Sequence, residues 1–91
     1  MSHPDERESA ELAAARLSRW QILDLVLVYR IGHMRITRNR YGRPCAPVDR
    51  MIADRILAIG AAGSYVMPGP RFTAVMYALH RSGAVQSLAK V

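Results

Sequence analysis

Residues 20–31 read WQILDLVLVYRI, a segment that is apolar around nearly the whole circumference of a helix. Its main stripe has the three- and four-residue spacing of one helical face, and it consists of Trp20, Leu23, Leu27 and Ile31. Upstream, Pro4 is followed by acidic residues, which favour the start of a helix. We therefore predict that residues 1–34 form one long helical segment, in which the helix ends by Gly32.

A helix that is apolar on all sides must be covered on all sides. The 91 residues make a single domain, residues 1–91, which has little other structure to cover this helix. A homodimer would cover it, and we expect the interface to contain the stripe residues Trp20, Leu23, Leu27 and Ile31. The alternative is a β-hairpin over residues 25–38 that turns at Gly32 and His33, because this part is rich in β-branched residues.

Asp24 is the one acidic residue in the apolar segment. If it is buried, its charge needs a partner such as Arg30, Arg50 or a polar group across a dimer interface. If it is not buried, Asp24 marks the solvent-exposed edge of the helix.

The next segment, residues 35–47, is a basic connector with several residues that break helices. From Leu25 to Val48 the chain has five arginines and no acidic residue, and the whole protein carries a net charge of +6. Only Lys90 among the 13 basic residues is a lysine. A coding genome rich in G and C would give the same bias, but arginine is also the residue that binds phosphate through paired hydrogen bonds.

The connector therefore predicts a contact with nucleic acid, in which arginines follow the phosphate backbone and a tyrosine stacks on a base or sugar. The candidate residues are Arg35, Arg38, Arg40, Tyr41 and Arg43. The alternative is a solvated loop whose arginines pair with the acidic residues of the first helix.

Part of the connector, RYGRP at residues 40–44, resembles an AT-hook, the minor-groove element built around Arg-Gly-Arg-Pro. The resemblance implies that these residues insert into the minor groove of DNA. Tyr41 stands where the family has its first core arginine, so the sequence departs from the AT-hook pattern at that position.

Residues 48–91 contain two further helical patterns. The first begins at Val48 or Asp49 and stops near Gly60, and the second begins at Pro70 and ends at Gly83. The tail from residue 84 is a candidate for a short strand. The predicted buried face of the second pattern contains Phe72, Val75, Met76 and Leu79.

Residues 49–91 resemble the recognition half of a winged helix-turn-helix domain, a DNA-binding fold. The resemblance implies that the last helix, residues 70–82, reads DNA in the major groove. The segment between Gly60 and Pro70 is too short for the usual second helix of that motif, which is a departure from the family. The outward-facing residues that the resemblance implies as DNA contacts are Arg71, Thr73, Ala74, Tyr77 and Arg81.

No pattern in the sequence indicates catalysis, a metal site or a cofactor. The histidines His3, His33 and His80 lie far apart, and none has metal-ligand spacing with the single cysteine, Cys45. Cys45 and His80 remain a candidate dyad, with an inert loop cysteine as the alternative. The longest apolar run is about half of a membrane span, and the N-terminus lacks a signal-peptide pattern. We expect a cytoplasmic protein that is not an enzyme and does not enter a membrane.

The predicted fold is mainly α: a long N-terminal helix, the basic connector, and two shorter helices that leave room for a small β wing. The predicted function is that of a small DNA-binding regulator that acts as a homodimer. The alternative is an adaptor or inhibitor that docks on a larger protein through the apolar helix and the arginines. An RNA-binding protein would share the arginine-rich connector.

Overall fold

The computed structural model describes the backbone of residues 4–85 and the side chains of residues 10–85. The described part contains α1 (Pro4–Ala15), α2 (Arg19–Ile31), β1 (Met34–Arg35), α3 (Ala46–Ala53), β2 (Leu57–Ile59), β3 (Tyr65–Pro68) and α4 (Phe72–Arg81). The fold is α+β, so the prediction of a mainly α protein is wrong. The candidate strand in the tail falls largely on residues 86–91, outside the described residues.

The predicted long helix is two helices, because Ser18 begins a new one. Ser18 Oγ accepts a hydrogen bond from the Gln21 backbone N–H at 3.2 Å, and the Ser18 N–H donates to Gln21 Oε1 at 2.8 Å. This capping box satisfies backbone donors at the start of α2. At the other end Gly32 has a φ of 97° and its N–H donates to the Val28 carbonyl at 2.7 Å. The helix therefore ends by Gly32, as predicted, and residues 25–31 are not part of a β-hairpin.

The β-structure comes from a segment that the sequence patterns assigned to the end of a helix and a turn. Strands β2 and β3 form an antiparallel hairpin, and β1 pairs with the other side of β3, with Arg35 opposite Tyr65. The strand order is β1-β3-β2. We call residues 60–64 the hairpin turn; within it Gly63 has a φ of 78°, which residues with a side chain rarely adopt. The sheet is therefore formed by the hairpin of residues 57–68 together with β1.

The core is formed by the helices together with one face of the sheet. Helix α1 packs on α4, α2 packs on β1 and β3, and α3 packs on β2. The predicted buried face of the last helix is confirmed, since Phe72, Val75, Met76 and Leu79 are at most 5% exposed. The other large side chains that are fully buried come from α2, α3, the residue before β2 and the hairpin: Leu25, Val28, Met51, Ile56, Leu57 and Val66.

Gln21 ties α2 to α3 in addition to its role in the cap. The residue is buried, and its Nε2 donates a hydrogen bond to the Pro47 carbonyl at 3.0 Å. Pro47 is the last residue of the basic connector and lies in the first turn of α3. One side chain therefore fixes the start of α2 and the place where α3 begins.

Replacing Gln21 with Ala is expected to lower the free energy of unfolding by about 2 kcal/mol, because half of the capping box and the bond to Pro47 are lost together. The control is Ser18→Ala, which removes a cap acceptor but keeps the bond to Pro47 and is expected to cost about 1 kcal/mol. Urea denaturation followed by circular dichroism measures both values. Equal losses in the two variants would contradict a stabilising role for the Pro47 bond.

Candidate nucleic-acid interface

The basic connector contains a closed loop, residues 36–45, which we call the connector loop. At its base the Cys45 N–H donates a hydrogen bond to the Thr37 carbonyl at 2.8 Å, which closes the loop. At its tip Asn39 Oδ1 accepts hydrogen bonds from the N–H groups of Tyr41 and Arg43, at 2.9 and 3.2 Å. The Asn39 N–H donates to the Arg43 carbonyl at 2.8 Å. Because these bonds close the loop on itself, its arginines are grouped at one place and do not form an extended arm along a phosphate backbone.

Arg38 joins the connector loop to the hairpin turn. Its Nη1 donates to the Gly42 carbonyl at 2.7 Å, and its Nη2 donates to the Gly63 carbonyl at 2.6 Å. The Ile36 N–H adds a backbone bond of 3.0 Å to the Ser64 carbonyl. The two loops are thus held together, and Arg38 acts as a positioning residue with two of its donors already engaged.

The connector loop exposes two arginines and an aromatic ring. Arg40, Tyr41 and Arg43 are exposed, and Tyr41 retains 78% of its accessible surface. The Arg40 guanidinium carbon lies 5.9 Å from the centre of the Tyr41 ring, within the range of a cation–π contact. The loop tip therefore combines positive charge with a flat apolar surface.

None of the connector arginines is neutralised by an acidic side chain that the structure describes. Arg35, Arg38, Arg40 and Arg43 make no ion pair within residues 10–85, whereas Arg81 pairs with Glu11 at 3.0 Å. The alternative in which these arginines pair with the first helix therefore finds no support among the acidic groups described, of which Glu11 is the one on α1. The positive charge of the connector is left available to an external anion.

Arg35 lies beside the same surface, on strand β1. It is opposite Tyr65, the residue that follows the hairpin turn. The His33 ring packs edge-on against the Tyr65 ring, with 5.1 Å between the ring centres. Since neighbouring residues across a pair of strands share a face, Arg35 and Tyr65 place a cation and an aromatic ring next to the hairpin turn.

Helix α3 begins directly after the connector loop and precedes the hairpin. Its buried residues are Val48 and Met51, and its exposed positions include Asp49, Arg50 and Asp54 at its end. The outer face of α3 is therefore of mixed charge, with Arg50 as its one cation.

The structure places the remaining predicted contacts on or beside α4, which packs on α1. Thr73, Ala74 and Tyr77 are exposed there. Arg71 is half-buried and its Nη1 donates to the Asp54 carbonyl at 3.2 Å, while Arg81 is engaged with Glu11. The predicted contacts thus form two sets: the structure joins the connector residues to the hairpin turn, and it places the other residues on or beside α4, where only Arg81 is bound to α1.

The predicted dimer residues all lie on the outer side of α2. Their exposed fractions are 75% for Trp20, 51% for Leu23, 39% for Leu27 and 58% for Ile31. The apolar stripe identified in the sequence is therefore an exposed face in this chain.

Residues that complete the site were missed in the sequence because two of them act through backbone carbonyl groups and the third acts by shaping a turn. Gly63 and Ser64 supply carbonyl groups to the connector loop, and Asn39 shapes its tip. The sequence does carry the relevant signals: Gly60-Ala-Ala-Gly63-Ser64 between two apolar runs is typical of a hairpin, and asparagine favours turns of this kind.

Two further classes of site are absent from the described part of the chain. No group of three or more His, Cys, Asp or Glu side chains is arranged to hold a metal ion there. Nor is any described helix both long enough and apolar enough to cross a membrane. Comparison of the chain with family models, with curated proteins and with solved structures found no match.

Proposed function

We propose that this protein binds nucleic acid, with duplex DNA as the preferred form, through the connector loop, the hairpin turn and α3. One observation carries the proposal: Arg38 ties the connector loop to the hairpin turn, and the loop then exposes Arg40, Tyr41 and Arg43 without an acidic partner in the described residues. A loop fixed in this way loses less conformational entropy on binding than a flexible arm does.

Each exposed group has a role that its chemistry supports. Arg40 and Arg43 donate to phosphate oxygens, and their charge releases counterions from the nucleic acid. Tyr41 packs its ring on a sugar or an accessible base. Arg35 adds a third cation beside the hairpin turn. These contacts fix the position of the protein on the backbone and carry little sequence information of their own.

The order of elements supports a role for α3 in reading the bases. From α2 to β3 the chain runs helix, strand, helix, strand, strand with the sheet order β1-β3-β2, which is similar to a winged-helix domain. In that arrangement the helix that precedes the hairpin enters the major groove. The position belongs to α3, so we assign base contact to Arg50 rather than to α4. The connector loop stands where the motif has another helix, which is the main departure.

The test is a titration of Arg40→Gln/Arg43→Gln against random duplex DNA, single-stranded DNA and structured RNA at several salt concentrations. We expect the slope of log K against log salt for duplex DNA to fall by about 2, since each phosphate contact contributes about 0.9. The matched control is Arg16→Gln/Arg81→Gln, which removes the same charge at the end of α1 and on α4 and should leave the slope nearly unchanged.

Each result separates one part of the proposal from another. An unchanged slope in Arg40→Gln/Arg43→Gln would remove the connector loop from the interface. A large fall of the slope in the control variant Arg16→Gln/Arg81→Gln would show that the nucleic acid contacts the side of α1 and α4. Tighter binding of structured RNA or single-stranded DNA than of duplex DNA would overturn the choice of duplex.

A further inference from the structure

The exposed stripe on α2 is a separate surface from the connector loop. It runs the length of the helix from Trp20 to Ile31 and contains no charged residue, because the charged residues of α2 lie on its flanks. Proteins that work as monomers rarely expose a continuous apolar face of this kind. We therefore expect the stripe to be covered by a partner helix or protein, and the charged residues beside the stripe indicate what that partner is.

The two flanks of the stripe carry opposite charges. At 3.6 residues per turn Asp24 falls on one side of the stripe, while Arg19 and Arg30 fall on the other. Arg19, Asp24 and Arg30 have no ion-pair partner among the residues that the structure describes. Asp24 is half-buried, and this burial raises the pKa of its carboxyl group above the usual value. An external cation would relieve the cost of that unpaired charge.

Heptad positions specify how a second copy would meet these charges. Trp20, Leu23 and Leu27 occupy successive a, d and a positions, which places Arg19 at g and Asp24 at the next e. The following d position is Arg30, so the heptad contact extends from Arg19 to Leu27 and ends there. Between parallel helices a g residue faces the following e residue of the other helix, so Arg19 meets the second copy's Asp24 twice across a two-fold axis. Between antiparallel helices g faces g and e faces e, so that like charges would meet.

We propose that the α2 stripe pairs with the same stripe of a second copy of this chain, with the two helices parallel and with Arg19 of each copy bound to Asp24 of the other. The interface is isologous, as expected for a two-fold dimer. The pairing does not require nucleic acid, so it stands or fails separately from the proposed function.

The first test is the mass of the full chain in solution as a function of concentration, measured by sedimentation equilibrium without nucleic acid. We expect a monomer–dimer equilibrium in which Trp20→Ala weakens association at least about 30-fold, as for a large aromatic residue that is buried on association. Leu12→Ala is the control, because Leu12 is also exposed, at 58%, but lies on α1. A wild-type protein that stays monomeric up to millimolar concentration would overturn the proposal.

Disulfide crosslinking tests the parallel orientation. In a Cys45→Ser background, Leu23→Cys and Leu27→Cys, which both keep Trp20, are expected each to crosslink to a second copy of the same variant. The two positions are about 6 Å apart along the helix, so antiparallel helices would bring at most one of them opposite itself. Crosslinking at one position alone, or at neither, would overturn the parallel arrangement.

Charge reversal tests the proposed ion pair. Arg19→Glu and Asp24→Arg are each expected to weaken association, since each places like charges together, and the double variant is expected to restore most of it. A merely structural role for either residue would not produce this rescue. A double variant that associates no better than the single ones would remove the Arg19–Asp24 pair from the interface.

Discussion

Gly69→Ala is expected to lower the free energy of unfolding by about 3 kcal/mol or more, enough to unfold much of so small a domain. A Cβ atom at this position would lie 2.5 Å from the Arg55 carbonyl oxygen and 3.0 Å from the Leu57 carbonyl carbon. Those atoms cannot withdraw easily. The Gly69 N–H donates to the Ile56 carbonyl at 2.9 Å, and the Arg71 N–H donates to the Arg55 carbonyl at 3.0 Å.

Gly60→Ala is the matched control in the same hairpin. A Cβ there would meet the Tyr65 carbonyl oxygen at 3.4 Å, an ordinary contact distance, so the expected change is below about 1 kcal/mol. Thermal and urea denaturation of both variants, followed by circular dichroism, gives the comparison. Similar stabilities for Gly69→Ala and Gly60→Ala would mean that the chain does not approach itself at Gly69 as described.

Arg38→Met is expected to weaken duplex DNA binding about tenfold or more, because it frees the connector loop from the hairpin turn while Arg40 and Arg43 remain. Of the two hydrogen bonds that it removes, the bond to the Gly63 carbonyl at 2.6 Å links the two loops and is shorter than the Ile36–Ser64 bond at 3.0 Å, and the bond to the Gly42 carbonyl braces the connector loop itself. Faster amide hydrogen exchange in the connector loop is expected to accompany the loss. The expected loss of affinity rests on the proposed function, whereas the faster exchange does not.

Arg38→Lys separates positioning from charge. The lysine keeps the positive charge but lacks the planar guanidinium that reaches two carbonyl groups at once. If Arg38 acts by positioning, Arg38→Lys should lose most of the affinity that Arg38→Met loses while the salt slope stays near the wild-type value. A lysine variant that binds as tightly as the wild type would show that Arg38 contributes charge alone.

The strands were harder to predict than the helices because their signals are short. Strand β2 has three residues and β3 has four, and the glycines that follow β2, Gly60 and Gly63, also mark the end of a helix. The break between α1 and α2 was predictable in principle, since Ser18 and Gln21 have the spacing of a capping box. We predicted one continuous helix because the residues before and after Ser18 are strong helix formers. The buried face of α4 was predicted because its three- and four-residue spacing repeats over about two turns.

The candidate site divides in the same way. The arginines and Tyr41 were identified by composition, because charge without acidic neighbours is visible in the sequence. The hydrogen bond from Arg38 to the Gly63 carbonyl joins residues 25 positions apart. Its acceptor is a backbone carbonyl, a group that every residue type has. No pattern among neighbouring residues in the sequence predicts that contact.

The sequence by itself determined the helical stripes, the end of α2 at Gly32, and the concentration of positive charge between residues 25 and 48, because each depends on residues close together in the chain. Only the tertiary structure decided that the connector is a closed loop against the hairpin turn, that residues 57–68 form a hairpin after α3, and that the Trp20 stripe faces outward. The physical reason is that these features depend on which distant backbone groups meet. That outcome is set by the packing of the whole core, since a strand of two to four residues is stable only when the rest of the fold supplies its neighbours.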